Sequence, residues 1–270
     1  MLPDRTPELR PYLSDRLSVA IEAARNAGEL LLTSPNLRDA TQNGLEFKAV
    51  VDQLADETIV QTLKDHFPDD AVLTEERGFP KEVTKRLWVV DPLDGTTNFL
   101  NGNQMYTTLV AYIENGVPLI SVSYLPASDK MVYAVTGHGV YVNGRKLQAQ
   151  EPHSLQRAII VLDQGYDPKG IDKIVRAYRQ LRPHVGNIGM FNGNGYTLTL
   201  MALDQIAGFV HFSSKIWEVA GLHIAQEAGA TITDLTGKPI RYDFQNPSAF
   251  QFVASHGIPH GDLLALVNSS

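Results

Sequence analysis

Residues 88–99, Trp88-Val89-Val90-Asp91-Pro92-Leu93-Asp94-Gly95-Thr96-Thr97-Asn98-Phe99, decide how this chain is read. A short apolar run makes a strand, and the strand delivers two carboxylates, Asp91 and Asp94, at its polar end. Pro92 fixes φ between them, and Gly95 admits a backbone angle or a close approach that a side chain would block. Hard divalent cations such as Mg2+ take oxygen ligands, and two aspartates three residues apart on a bend can face one ion. The Leu93 carbonyl between them is a further oxygen. Beyond Asp94, the backbone N–H groups of Gly95, Thr96 and Thr97 form a candidate anion nest. The same Asp-x-x-Asp-Gly pattern also arises as a plain turn whose acids cap backbone amides.

More acids stand at comparable places. Glu75 and Glu76 follow the apolar run 71–73, and Glu218 follows Trp217 at an expected helix start. Each is ordinary alone, since Glu218 there complements a helix dipole. Four such carboxylates in one place repel one another strongly, and a metal cation is their natural counter-charge.

The surrounding pattern supplies the elements. Leu13, Leu17, Ala20, Ile21, Ala24 and Leu31 fall on one helical face, and a second helix is expected over about 52–66 with Ile59, Val60 and Leu63 inward. Strands are expected at 87–90, 109–113, 119–124 and 131–135, followed by a hairpin turning at Asn143-Gly144. After a polar linker at 148–155, the second half reads as strands at 158–162, 208–212, 231–233 and 250–254. These are interleaved with helices near 170–181, 196–206, 217–228 and 262–267. The helix at 170–181 gathers Ile171, Ile174, Val175 and Tyr178 on one side. The first half is helices followed by a mostly antiparallel run, the second layered α/β.

Composition limits the function. The 270 residues suffice for one large domain or two smaller ones, and 43% apolar with 20% charged residues excludes a disordered chain. Twenty-three basic residues against thirty acidic give a net charge of −7, which argues against a nucleic-acid or anionic-membrane partner. The absence of cysteine rules out disulfides, thiolate catalysis and iron–sulfur chemistry, and fits a reducing cytoplasm. No apolar run approaches the roughly 18 residues of a membrane span, and MLPDRTPELR has no apolar core of a secretory signal. A cytoplasmic location is expected.

Taken together, these motifs resemble the inositol monophosphatase family of Mg2+-dependent, lithium-sensitive phosphatases. Asp91-Pro92-Leu93-Asp94-Gly95-Thr96-Thr97-Asn98-Phe99 matches its central signature, and Thr74-Glu75-Glu76 its upstream Gly-Glu-Glu apart from the Gly. Trp217-Glu218-Val219-Ala220-Gly221 with Glu227-Ala228-Gly229 matches the C-terminal signature with one departure. The segments 133–145 and 233–239 resemble the family's hairpin and its final turn. The resemblance implies a layered α-β-α-β-α sandwich, α+β in residues 1–147 and α/β in residues 148–270. It implies two or three Mg2+ per site, held by Glu75, Asp91, the Leu93 carbonyl, Asp94 and Glu218. Glu75, Thr96 and Asp52 would orient and deprotonate water, with Asp56, one helical turn on, as the rival of Asp52. Gly95, Thr96 and Thr97 would hold phosphate, and a homodimer is implied.

Several further positions depart from the family. Glutamate at 218 replaces an aspartate and reaches one methylene farther, so either a small backbone retreat restores coordination or the second metal site weakens. His211, seven residues earlier, stands where inositol phosphatases carry a glutamate, and Lys215 follows it. Both are candidate contacts for the distal end of a substrate, or simply structural. Gly189 replaces an arginine, and Asn192-Gly193-Asn194-Gly195 is a plain loop or a reshaped pocket wall. The expected substrate is a small phosphate monoester of the inositol monophosphate kind. Sugar bisphosphates, histidinol phosphate and 3′-phosphoadenosine 5′-phosphate are alternatives, as is a weakly active regulatory binding protein of the same family.

Overall fold

Helix α1 (Pro11–Thr33) starts with proline in its first turn, where no amide donor is needed, and buries Leu17, Ala20, Ala24, Ala27 and Leu31 at three-to-four spacing. The computed structural model describes residues 9–34, 40–43, 46–80, 84–148, 154–165, 170–245 and 248–269. The N-terminal residues 1–8 and residues 149–153 of the expected linker lie outside these. A short antiparallel ribbon, β1 (Ala40–Asn43) and β2 (Glu46–Ala49), leads into α2 (Val50–His66), which buries Val51, Ala55, Ile59 and Leu63 and leaves Val60 half-buried.

The first large sheet contains β3 (Ala71–Thr74), β4 (Arg86–Asp94), β5 (Thr107–Glu114), β6 (Val117–Leu125), β7 (Lys130–Val135), β8 (Gly139–Val142) and β9 (Arg145–Lys146) in sequence order. Only β3–β4 is parallel; the rest pair antiparallel with their neighbours in sequence. Asn143 and Gly144 take φ of 47° and 81°, as the hairpin turn requires. Alternation along the strands sorts side chains between two layers. Trp88, Val90, Val110 and Tyr112 join α1 and α2, while Leu87, Val89, Leu109 and Ala111 face Val219 and Ala220 on the other side.

The second half contains β10 (Ile159–Asp163), α4 (Ile171–Leu181), β11 (Asn187–Gly189), α5 (Asn194–Ala202), β12 (Gly208–Ser214), α6 (Val219–Glu227), β13 (Thr231–Thr233), β14 (Phe250–Ser255) and α7 (His260–Asn268). Its sheet runs β11-β10-β12-β14-β13, with β11, β10 and β12 parallel and β14 antiparallel to both neighbours. Ile160, Leu162 and Val210 pack under α4 and α7. Val161 and Phe209 face Leu198, Met201 and Leu222 of α5 and α6. The layers are therefore α1/α2, sheet, α5/α6, sheet, α4/α7, the expected sandwich.

Several local expectations change. On α4 the buried side is Ile174, Ala177 and Leu181, whereas Ile171, Val175 and Tyr178 are exposed. Small Ala177 lets that side sit closest to β10 and α7, so contact rather than apolar count selects the face. Helix α5 begins two residues before the expected 196 and stops at Ala202, because Asp204 turns left-handed at φ 61°. Ile216–Glu218 forms a 3-10 turn, so Glu218 precedes α6 instead of lying within its first turn. The ribbon β1–β2, the short helix α3 (Thr96–Leu100) and β11 were not expected as elements.

Candidate active site

The ends of β4, β10 and β12 meet the start of α5 around a cavity of about 300 Å3, a small-ligand volume. Its lining includes Glu75, Asp91, Leu93, Asp94, Gly95, Thr96, Thr97, His211, Lys215 and Glu218. The structure thus brings these sequence-derived candidates to one place, Asp52 excepted from the lining. A larger, shallower groove along residues 234–241 and 250–251 holds a single acid, Asp234, which is tied into its own turn by Thr236 and Lys238.

Strand β4 carries its acids there through a register shift. Asp91 pairs with Leu109 and Asp94 with Thr107, so β4 holds one extra residue across the Pro92–Leu93 step. Leu93 N–H donates to Asp91 Oδ1 at 3.2 Å, and Thr96 Oγ1 donates to the Leu93 carbonyl at 3.0 Å. Gly95 has φ 89°, and a Cβ there would meet the Met105 carbonyl at 2.6 Å, so this turn accepts only glycine.

Asp94 reaches across to the second half. Its Oδ1 accepts from Asn194 N–H at 2.9 Å and its Oδ2 from Tyr196 N–H at 2.7 Å, which explains why α5 starts early. Asn192–Gly195 is therefore more than a loop: Asn194 and Gly195 open the helix, and a Cβ at Gly195 would meet Leu109 Cδ1 at 2.3 Å. Asn98 Nδ2 adds a second tie, donating to the carbonyls of Met105, Phe191 and Asn192.

Glu218 is buried, and its Oε2 accepts from Ser214 Oγ at 2.5 Å and Lys215 N–H at 3.1 Å. Burial pushes its carboxyl up to about 8, against the hydrogen bonds from Ser214 and Asn194 and with added repulsion from Asp94. Burial raises Asp94 to about 6 despite its amide donors. Asp91 is driven well above the usual carboxylate range by burial and then by Glu75, Asp94, Asp52 and Glu218. Asp52 lies buried in α2 and contributes to that field, whereas Asp56 is bonded to Arg77 Nε. The rival acids of α2 therefore have different surroundings.

Among the described residues no three acids or histidines close into a coordination shell. The donor chemistry nonetheless fits a hard divalent cation: several buried carboxylates and a backbone carbonyl, with Lys215 the one cationic side chain among the described lining residues. Each engaged carboxylate oxygen keeps a further lone pair. Sequence reasoning missed Asp163, Gln164 and Ser213, which also line the cavity, while Asn192, Gly193 and Asn194 line it as the pocket-wall reading of that segment expected. Asp163 carries the same signal as Asp91, an acid closing an apolar strand, and ligand sites of parallel sheets lie at such strand ends.

The fold and this site define a class, and comparison with known proteins gives it a family. A family model described as the inositol monophosphatase family matches residues 13–269, and the chain belongs to that family. The protein named fructose-1,6-bisphosphatase/inositol-1-monophosphatase of Thermotoga maritima is 29% identical over 258 residues, covering 94% of this chain and 96% of its own. The Nus factor SuhB of Pseudomonas aeruginosa is 31% identical over 232 residues, covering 82% and 86%. Among solved structures, the Thermotoga maritima IMPase superposes with a TM-score of 0.83 at 27% identity, covering 94% of this chain and 97% of that one.

Proposed function

We propose that this protein is a Mg2+-dependent phosphatase that hydrolyses a small phosphate monoester, inositol monophosphate or a similar polyol phosphate, by direct attack of water. The observation that carries this is the group of buried carboxylates, Asp91, Asp94 and Glu218, that repel one another beside a ligand-sized polar cavity. Glu75, Asp91, the Leu93 carbonyl, Asp94 and Glu218 would hold the metal. When bound, such an ion supplies Lewis acidity and lowers the pKa of coordinated water.

The remaining work falls to the chain. The N–H groups of Gly95, Thr96 and Thr97 bind the phosphate oxygens. Glu75, with Thr96 and Asp52, orients the attacking water and takes its proton. His211 and Lys215 meet the alcohol end of the ester. Divided at residue 147, the first part supplies most metal-binding acids and the second supplies Glu218 and the distal contacts. Lithium sensitivity, a cytoplasmic location and a homodimer follow from the family resemblance and belong to the same proposal.

A relative's name that joins fructose-1,6-bisphosphatase to inositol-1-monophosphatase keeps sugar bisphosphates as substrates. Relatives named Nus factor SuhB support a second reading, a regulatory binding protein with little turnover. Phosphate release from a panel of inositol, sugar, histidinol and nucleotide phosphates, with and without Mg2+ and Li+, separates them. Mg2+-dependent, Li+-inhibited release from at least one ester is expected; silence on every ester overturns the catalytic proposal.

A further inference from the structure

A glutamate must fix one more side-chain torsion than an aspartate before its carboxylate can hold a ligand in a set direction. For Glu218 the group that fixes it comes from the end of β12. His211 pairs with Phe252 and Ser214 with Phe250, so β12 holds one extra residue between them. A bulge of this kind re-aims the side chain beside it. Ser214 Oγ donates to Glu218 Oε2 at 2.5 Å, and Lys215 N–H donates to the same oxygen at 3.1 Å. Two donors on one oxygen fix the rotation of the carboxylate.

The Lys215 bond is made by the backbone, as the returning half of a capping box, and any residue at 215 with an N–H would make it. The Ser214 bond depends on the side chain chosen there. Ser213 and Lys215 line the cavity, whereas Ser214 between them is fully buried, so its hydroxyl acts through Glu218 and not on a ligand. Asn194, whose N–H holds Asp94 Oδ1, gives Glu218 a further hydrogen bond from its side chain. Carboxylates that ligate metals are themselves hydrogen-bonded in this way, and the outer partner sets the direction of the ligand.

We infer that Ser214 is a positioning residue for the proposed metal site, its hydroxyl locking the Glu218 carboxylate in the orientation that holds the cation. The inference rests on the metal-dependent reading of the cavity and explains how a glutamate, with its extra torsion, serves at this position.

Calorimetric titration of the metal-free full chain with Mg2+ tests this without turnover. Ser214→Ala is expected to weaken Mg2+ binding about tenfold or more, the usual effect of removing an outer partner of a ligand. Ser214→Thr keeps the hydroxyl and should restore most of the affinity. In a Glu218→Asp background the carboxylate is too short to reach Ser214, and Ser214→Ala should then change Mg2+ affinity by less than about twofold. A general role in folding would weaken binding equally in both backgrounds, so this comparison stays decisive even where the added methyl of Ser214→Thr disturbs packing. Unchanged affinity in Ser214→Ala, an equal loss in both backgrounds, or no Mg2+ binding by the wild type overturns the inference. Failure of the phosphatase proposal alone would appear separately, as Ser214-dependent Mg2+ binding without phosphate release from any ester.

Discussion

Beside the start of β4, Asp70 is buried with Arg16 Nη2 at 3.1 Å, Arg86 Nε at 3.0 Å and Trp88 Nε1 at 3.2 Å. At the other end of the same strand Asp91 and Asp94, with Glu218 beside them, are buried too, but they accept from amides and a hydroxyl. Lys215 contributes its backbone N–H to Glu218, while its ammonium lies 5.7 Å from the Trp217 ring centroid. Burying a carboxylate is expensive unless opposite charge accompanies it. Asp70 has that charge within the chain and is a structural fixture. Asp91, Asp94 and Glu218 form no ion pair among the described residues, which marks them as partners for something brought from outside.

The largest effect should come from breaking the matched end. Asp70→Asn leaves Arg16 buried between Phe67 and Tyr112 without its carboxylate, and urea unfolding should show a loss of about 3–5 kcal/mol, unchanged by Mg2+. At the unmatched end, Asp94→Asn should lower Mg2+-dependent phosphate release on the order of 100-fold. Wild-type turnover by that variant, correctly folded, would remove Asp94 from the site.

The contrast also has a pH signature. Glu218 binds a proton more tightly folded, near 8, than at its ordinary 4.5, and Asp94 shifts the same way to about 6. At these two carboxyls the folded metal-free protein holds more protons than the unfolded chain, so their contribution to stability falls as pH rises from about 4.5 to about 8. Above pH 6.5, where the buried histidines no longer oppose it, that fall stands alone. Saturating Mg2+ should flatten that limb. His223 gives the opposite slope: bonded to Ser121 and Thr136, it is lowered by burial to about 4, so its contribution is lost as pH falls from 6.5 towards 4. Thermal midpoints measured from pH 4 to 9 with EDTA or Mg2+ check both slopes.

The smallest expected change is Glu218→Asp. The shorter side chain gives up its reach to Ser214 Oγ but remains a hard oxygen donor, so the Mg2+ requirement in an activity titration should move by only about a few-fold. A requirement tightened by more than tenfold would instead identify glutamate at 218 as a weakened ligand.

Much of this was legible in the sequence where local pattern and burial coincide. The strand-turn Val89–Gly95 announces its acids because an apolar run cannot end in Asp-x-x-Asp-Gly without exposing or pairing them. The mostly antiparallel run of the first half followed from closely spaced short apolar runs, and its hairpin turn from Asn143-Gly144. What was hidden depends on distant neighbours. Asp52 and Asp56 are separated by the bond from Arg77 to Asp56, which no spacing reveals. The start of α5 is set by Asp94, a hundred residues earlier. Asp163 escaped notice because a single acid at a strand end looks like any turn, and its place in the cavity appears only once β10 pairs with β12. Helix α4 carries apolar residues on two sides, and only the packing of α7 decides between them.

Taking up an external cation is the proposed work of the acids at the end of β4. The most direct measurement is the thermal midpoint of the metal-free protein during a Mg2+ titration, for wild type and for Asp91→Asn. Asp91→Asn should have the higher midpoint in EDTA, because one of the mutually repelling acids is gone. Mg2+ should raise the wild-type midpoint saturably and leave that of the variant nearly unchanged. A wild-type midpoint indifferent to Mg2+, or an equal rise in both proteins, would contradict that role.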